Sequence, residues 1–407
     1  MTEPTPEKLR RLSTEFVHRR FSSVDLDGTE SETESLLGLP PSALPPAHSW
    51  RETLTTRLHD VVLISELAFR LYAYLFTSFK WLFQFLRLLL FAAFLMPGFS
   101  QMIMFYFFSP RVIRSVPYGI ESRNALDIYL PRKKWRRQGP CPVVVYVTGG
   151  AWTIGYKAWG ALFARRLSQR GVLVFCIDYR NFPQGTITDM VRDVNTGITW
   201  VLNNCHLYGG DPNAIYLVGQ SAGVHLTLLA LIAQNRRQIQ GGFPEGSVPS
   251  WNPSRFAAYI GVSGAFNLLT LQDHLDARGL PKAMFSKIMS DSLVEFSPTL
   301  IIKDLDETVV KSLPPMTLFH GTADQSVPVE NAVQFCKTMK EAGGNCKLHL
   351  YHGKNHTEPI VQDPMRQGRD TLMDDVLSVV RGHSCYNTQL GMVPAIMIDF
   401  ASFVCPF

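Results

Sequence analysis

Three residues of this 407-residue chain have side chains whose types and order could do chemistry together. They are a serine in Gly219-Gln220-Ser221-Ala222-Gly223, a carboxylate in His320-Gly321-Thr322-Ala323-Asp324 and an imidazole in Gly353-Lys354-Asn355-His356. A serine hydroxyl is a weak nucleophile until a positioned imidazole takes its proton. The imidazole in turn needs an acid that holds its tautomer and stabilises its charged form. The intermediate of such an attack is an oxyanion, which calls for backbone N–H donors set in place beforehand. The amide of Ala222, directly after the serine, is one candidate. Gly149, Gly150 and Ala151 in Thr148-Gly149-Gly150-Ala151-Trp152 supply the others, and Gln220 beside the nucleophile is a candidate substrate contact. The chemistry this set implies is acyl transfer.

These residues need elements to carry them. Ile215-Tyr216-Leu217-Val218 reads as an apolar strand, and residues 224–233 read as a helix. Strand, G-x-S-x-G, helix is the context of a nucleophile elbow, a tight turn that pushes the serine out at the carboxyl edge of a sheet. Further apolar strands are expected at 143–147, 172–177, 257–262, 316–319 and 347–351, with an antiparallel pair at 112–120 and 125–130 opening the domain. Helices are expected near 157–170, 187–205, 222–236, 329–342 and 366–381. This alternation implies an α/β architecture with a mostly parallel, eight-stranded sheet covered on both faces. Asp324 and His356 then follow the last two strands, in the chain order serine, acid, base.

Other candidates fit less well. His352 and His356 have the spacing of a zinc pair, but Gly353 opposes a helix there and no third ligand is evident. Asp178, Asp189 and Asp211 precede the serine, the wrong order for the acid, and Glu330 and Glu358 are weaker alternatives to Asp324. His225 and His320 read as packed residues. The seven cysteines include no C-x-x-C pair and are odd in number, which argues against a disulfide framework and a zinc site and fits a reducing compartment. No metal or other cofactor is expected. The net charge of +5 suits an anionic membrane surface without demanding nucleic acid.

Residues 1–60 are rich in Ser, Thr, Glu and Pro and read as a disordered arm. Residues 61–108 are expected to form transmembrane or membrane-interface helices. Leu88 to Phe108 is 21 residues without a formal charge, enough to cross a bilayer of about 30 Å. A two-span hairpin, one span preceded by an interfacial helix, and a helical cap on the catalytic domain all remain open. The catalytic domain is expected over 109–384 and a C-terminal tail over 385–407. Arg132-Lys133-Lys134-Trp135-Arg136-Arg137 reads as a solvated loop or a contact for anionic lipid. Met284, Phe285, Ile288, Met289 and Phe296 belong either to a lipid-accepting groove or to an ordinary core helix.

The motifs T-G-G-A-W-T-I-G-Y-K-A-W-G, D-Y-R-N-F-P-Q-G, Y-G-G-D-P, G-Q-S-A-G, H-G-T-A-D and Q-D-P-M-R together resemble the plant isoprenylcysteine α-carbonyl methylesterases, which have the α/β-hydrolase fold. The resemblance runs from about residue 60 to the end of the chain. Related hormone-sensitive-lipase-like esterases carry His where this chain has Thr148, a departure that leaves the oxyanion glycines in place. The resemblance implies hydrolysis of the methyl ester of a prenylcysteine at a protein C-terminus, giving a carboxylate and methanol. It also implies endoplasmic-reticulum and Golgi membranes and a link to abscisic acid signalling. Broader lipid or xenobiotic esterases, formamidases and hydrolase-fold receptors are the competing classes. Asn355-His356-Thr357 is a glycosylation sequon containing the candidate base, so a cytosolic catalytic domain is expected.

Overall fold

The structure, a computed structural model, describes Val62 and residues 79–240, 250–278, 280–383, 386 and 388–406. The arm expected at 1–60, and the first half of any hairpin at 63–78, lie outside the described residues.

An apolar helix opens the fold, α1 (Phe79–Phe108). The sheet follows: β1 (Val112–Pro117), β2 (Ala125–Tyr129), β3 (Cys141–Val147), β4 (Leu173–Ile177), β5 (Gly210–Gln220), β6 (Phe256–Val262), β7 (Met316–Gly321) and β8 (Cys346–Tyr351). Its spatial order is β1-β2-β4-β3-β5-β6-β7-β8. β1 pairs antiparallel with β2, and β2 with β4; all later pairs are parallel. Six parallel strands need helical crossovers. The helices that make them are α2 (Ala161–Gln169), α3 (Ile187–Asn204), α4 (Ala222–Gln240) and α8 (Val329–Glu341), with α9 (Thr371–Arg381) closing the domain. Between β6 and β7 lie the insertion helices α5 (Leu268–Ala277), α6 (Lys282–Ile288) and α7 (Pro298–Lys303), and α10 (Ala395–Val404) ends the fold.

Alternation along the strands divides the core into two layers. Val143, Val145 and Val147 of β3 pack with Val194, Leu226 and Phe285 on one face, whereas Val144 and Tyr146 pack with Phe163, Leu167 and Val376 on the other. All of them are buried, and each such side chain stabilises the fold by about 1.5–3 kcal/mol over exposure. Local chemistry sets the ends. Thr186 and Asp189 form a reciprocal capping box at the start of α3.

The insertion turns out to be core. Phe285, Ile288 and Met289 are fully buried, and the Phe285 ring meets Trp152 edge-on at 5.6 Å, so of the two readings for this stretch the packed helix is the observed one. The cationic stretch includes a short helix, Lys133–Arg136, whose Trp135 donates to Gln169 O at 3.2 Å and packs beneath Gly171.

Two glycines make the elbow possible. A Cβ on Gly223 would lie 2.1 Å from Val147 O, and one on Gly219 would lie 2.6 Å from Val224 Cα. Because the obstacles are backbone atoms, neither contact can relax by a side-chain rotation. Gly223→Ala is therefore expected to destabilise the protein by roughly 1–3 kcal/mol or more, read from the urea unfolding midpoint.

Candidate active site

Ser221 sits between β5 and α4 with φ of 53°, a left-handed conformation that costs a non-glycine residue about 1–3 kcal/mol. Its N–H donates to Val262 O at 2.9 Å, and Val224 N returns a bond to Ser221 O at 3.0 Å, so neighbouring segments hold the strained turn. Ser221 is partly exposed at the head of the 19-residue α4, where the helix's positive end favours developing negative charge.

His356 and Asp324 arrive from the loops after β8 and β7. His356 Nε2 lies 3.0 Å from Ser221 Oγ, and its Nδ1 lies 2.7 Å from Asp324 Oδ2. Ser326 N and Val327 N donate to the other carboxylate oxygen, Asp324 Oδ1, at 2.8 and 2.9 Å. Burial alone would raise the Asp324 carboxyl. The charge of His356 and hydrogen bonds from His320 and His356 outweigh it and hold the group well below the usual carboxylate range. Asp324 thus stays ionised where the adjacent imidazole needs a counter-charge. The structure brings together all three residues expected from the sequence.

His320 and His225 do other work. His320 is buried, with Nε2 2.9 Å from Val327 O and 3.2 Å from Asp324 Oδ2, so it braces the acid from behind. His225 accepts from Trp152 Nε1 at Nδ1 (3.1 Å) and donates from Nε2 to Phe296 O (2.7 Å). Asp178 is buried against Arg123, and Arg180 pairs with Asp193, which makes both aspartates scaffold. Among the described residues, no group of three or more His, Cys, Asp or Glu side chains could hold a metal ion.

The oxyanion loop differs from expectation in one particular. The Gly149 N–H donates to Gln220 Oε1 at 2.9 Å. Gly149 is therefore committed to the loop's attachment, and Gln220 acts through its amide oxygen as a latch rather than as a substrate contact. A Cβ on Gly149 would sit 2.7 Å from Ser221 Cβ, so the glycine is required by close approach. The amides of Gly150, Ala151 and Ala222 donate to none of the described acceptors. Gly150 (φ 129°), Ala151 (47°) and Trp152 (61°) form a run of positive φ values in which the loop reverses. Thr148 is buried and turned away, its hydroxyl 3.3 Å from Tyr156 O. The latch was not evident in the sequence, because Gly149 and Gln220 are 71 residues apart.

Two outcomes follow from these contacts. Gln220→Ala frees the Gly149 amide and slackens the loop, so kcat is expected to fall by about tenfold, less than for loss of a direct oxyanion donor, with KM nearly unchanged in steady-state kinetics. Burial pushes the His225 pKa down to about 4 from its ordinary 6.5, against the opposing bond to Phe296. The unfolded chain then binds a proton that the folded one refuses. Stability from this group is complete above about pH 6.5 and declines towards about pH 4, by on the order of 3 kcal/mol. His225→Gln should flatten that part of the slope in denaturant titrations.

The comparisons with known proteins agree with this architecture. The family model BD-FAE matches residues 126–339. Isoprenylcysteine alpha-carbonyl methylesterase ICME of Arabidopsis thaliana is 43% identical over 359 residues, covering 86% of this chain and 82% of its own. The rice (Oryza sativa subsp. japonica) protein named "Probable isoprenylcysteine alpha-carbonyl methylesterase ICME" is 46% identical over 334 residues, 82% of this chain and 79% of its own. Among solved structures, esterase B from Lactobacillus Rhamnosis superposes with a TM-score of 0.54 at 19% identity, over 74% of this chain and 94% of that one, a likeness of fold.

Proposed function

The chain belongs to the isoprenylcysteine alpha-carbonyl methylesterase family of α/β hydrolases, and from that premise we propose that it hydrolyses the methyl ester of prenylcysteine at protein C-termini, with Ser221 as nucleophile, His356 as base and Asp324 as the orienting acid. The observation that carries this reading is the continuous hydrogen-bonded path from Ser221 Oγ through His356 to Asp324, at 3.0 and 2.7 Å.

In the reaction, Ser221 Oγ attacks the ester carbonyl as His356 Nε2 takes its proton. The N–H groups of Gly150, Ala151 and Ala222 receive the oxyanion. Collapse of the tetrahedral intermediate passes the proton from His356 to the departing methoxide, giving methanol and an acyl-enzyme on Ser221. A water molecule, deprotonated by His356, then adds to that ester, and collapse releases the prenylcysteine carboxylate and restores Ser221. Asp324 keeps Nδ1 of His356 protonated throughout, so that Nε2 faces the serine.

The enzyme is proposed to act at endoplasmic-reticulum and Golgi membranes with its catalytic domain in the cytosol, where removing the ester would modulate prenylated proteins of abscisic acid signalling. Three features support the setting. The stretch Phe85–Phe108 of α1 is long and apolar enough, by length and composition, to cross a membrane. Six of the seven cysteines are buried thiols. Asn355 Oδ1 accepts from Thr357 N and Glu358 N at 3.0 and 2.9 Å, bonds that hold Asn355 in the loop of the neighbouring His356, where a glycan on its Nδ2 would crowd the site. A glycosidase-induced mobility shift of the expressed protein would count against the cytosolic side.

Ser221→Ala is expected to lower turnover of farnesylcysteine methyl ester by roughly 10⁵–10⁶ and to abolish labelling by a fluorophosphonate. Equal or faster hydrolysis of short p-nitrophenyl esters, with no preference for the prenyl substrate, would point instead to a broad esterase. Within the loop, Thr148→Ala should be mild. Gly150→Val should lose about 10²-fold or more, since its Cβ would lie 2.4 Å from Gly155 N at a φ that disfavours side chains.

A further inference from the structure

Helix α1 is apolar enough to span a bilayer, yet from Arg87 to Tyr106 it is held against the rest of the fold. Phe91, Leu95, Met102 and Tyr106 form one buried stripe against the catalytic domain. Polar bonds reinforce it at both ends. Arg87 donates to Val404 O and Cys405 O at 3.1 and 2.7 Å, Gln101 to Met392 O at 2.8 Å, and Tyr106 OH to Asp127 Oδ2 at 2.8 Å. From Arg87 to Tyr106 the helix rises about 28 Å, close to the full hydrocarbon thickness of about 30 Å. Were α1 upright in a bilayer, the Met392 carbonyl bonded to Gln101 and the part of the domain packed between Arg87 and Tyr106 would be carried to hydrocarbon depth, with the Arg87 guanidinium and Asp127 at its two borders. Polar groups there cost several kcal/mol each.

The opposite side of the helix is different. Leu86, Leu89, Leu90, Met96, Ile103 and Met104 are all about half exposed or more, and at 100° per residue all but Ile103, which sits at the flank, fall on the side facing away from the buried stripe. Helix α10 lies alongside and extends this surface with Ile396, Phe400 and Phe403, the ring of Phe400 stacking on Phe94 at 5.5 Å. A patch of this extent on two packed helices marks an interaction site. Cations border one end of it. The guanidinium groups of Arg111 and Arg165 lie over the Phe105 ring at 5.5 and 5.0 Å, and Arg114 lies over Phe107 at 4.9 Å. Arg132, Lys133 and Lys134 are exposed nearby in sequence. An apolar face with a cationic border fits lipid, acyl chains against the face and anionic headgroups at the rim.

We propose that α1 and α10 together form an in-plane docking platform, on which the enzyme lies against one leaflet with α1 parallel to the membrane, so that α1 does not cross it. This rests on the membrane association proposed above and specifies its geometry. The platform is continuous with the active site: α10 ends at Val404, and the Sγ of the next residue, Cys405, is 3.3 Å from Thr357 Oγ1, beside His356. A substrate held in the leaflet by a lipid chain would therefore meet the catalytic loop along the membrane surface.

Depth measurements separate the alternatives. Spin labels would be placed singly at Leu86→Cys, Ala93→Cys and Met104→Cys in the full chain with Cys385→Ser, and their immersion measured by power saturation in vesicles of phosphatidylcholine and phosphatidylserine. In-plane docking predicts similar shallow depths of about 5–10 Å at all three. A spanning α1 predicts Ala93 well below both ends; that profile would overturn the in-plane geometry while leaving membrane association standing. Labels that stay aqueous would overturn both. The double variant Leu89→Asp, Met104→Asp should reduce vesicle binding at least tenfold and leave ester hydrolysis in detergent unchanged, and undiminished binding would also overturn the proposal. Catalysis read in detergent is independent of these outcomes, so failure of the esterase reading remains distinguishable.

Discussion

The close crossing of β5 and α4 at the end of β3 is the constraint on which the rest of the site depends. Gly223 passes so near Val147 O that no side chain fits, and this approach forces Ser221 into a left-handed conformation. The strain persists because the turn is fixed from outside, by Val262 O on one side and the latch between Gln220 and Gly149 on the other. The same approach brings the oxyanion loop, which leaves β3, to the serine. Ser221, the α4 terminus and the free amides of Gly150, Ala151 and Ala222 thus share one small region as a consequence of backbone packing.

Electrostatics complete what packing begins. A buried carboxylate is unfavourable by itself, and Asp324 is tolerated because two backbone amides and two histidines face it. The two ends of the proposed catalytic path are consequently unlike. Asp324 is shielded and held ionised, whereas Ser221 is partly open to a substrate. Both Asp324 and His356 lie at the carboxyl ends of parallel strands, where an α/β sheet brings successive loops together.

The helices at the chain's two ends meet each other as well as the domain. Through Arg87, α1 holds the backbone at Val404 and Cys405, and Cys405 in turn touches Thr357 beside His356. Ser402 Oγ and Glu358 Oε1 make a second link at 3.2 Å. The apolar surface is therefore mechanically connected to the loop that carries His356, through short polar contacts.

Much of this was legible in the chain itself. The eight strands, the elbow and the order of Ser221, Asp324 and His356 follow from apolar runs, glycines and turns, which are local signals that act over a few residues. Partner choice among chemically equivalent groups was not legible, because it depends on residues distant in sequence. Gly149 and Gly150 look alike as letters, yet Gln220 takes the amide of one and leaves the other open. Phe285 and Ile288 could equally have lined a groove; Trp152 and the elbow helix claim them for the core. An uncharged run from Leu88 to Phe108 specifies only that the helix is apolar. Whether it stands clear of the domain or lies along it was decided by its contacts with Asp127, Met392 and Val404, since hydropathy records how apolar a segment is and carries nothing about which face a folded sheet will cover.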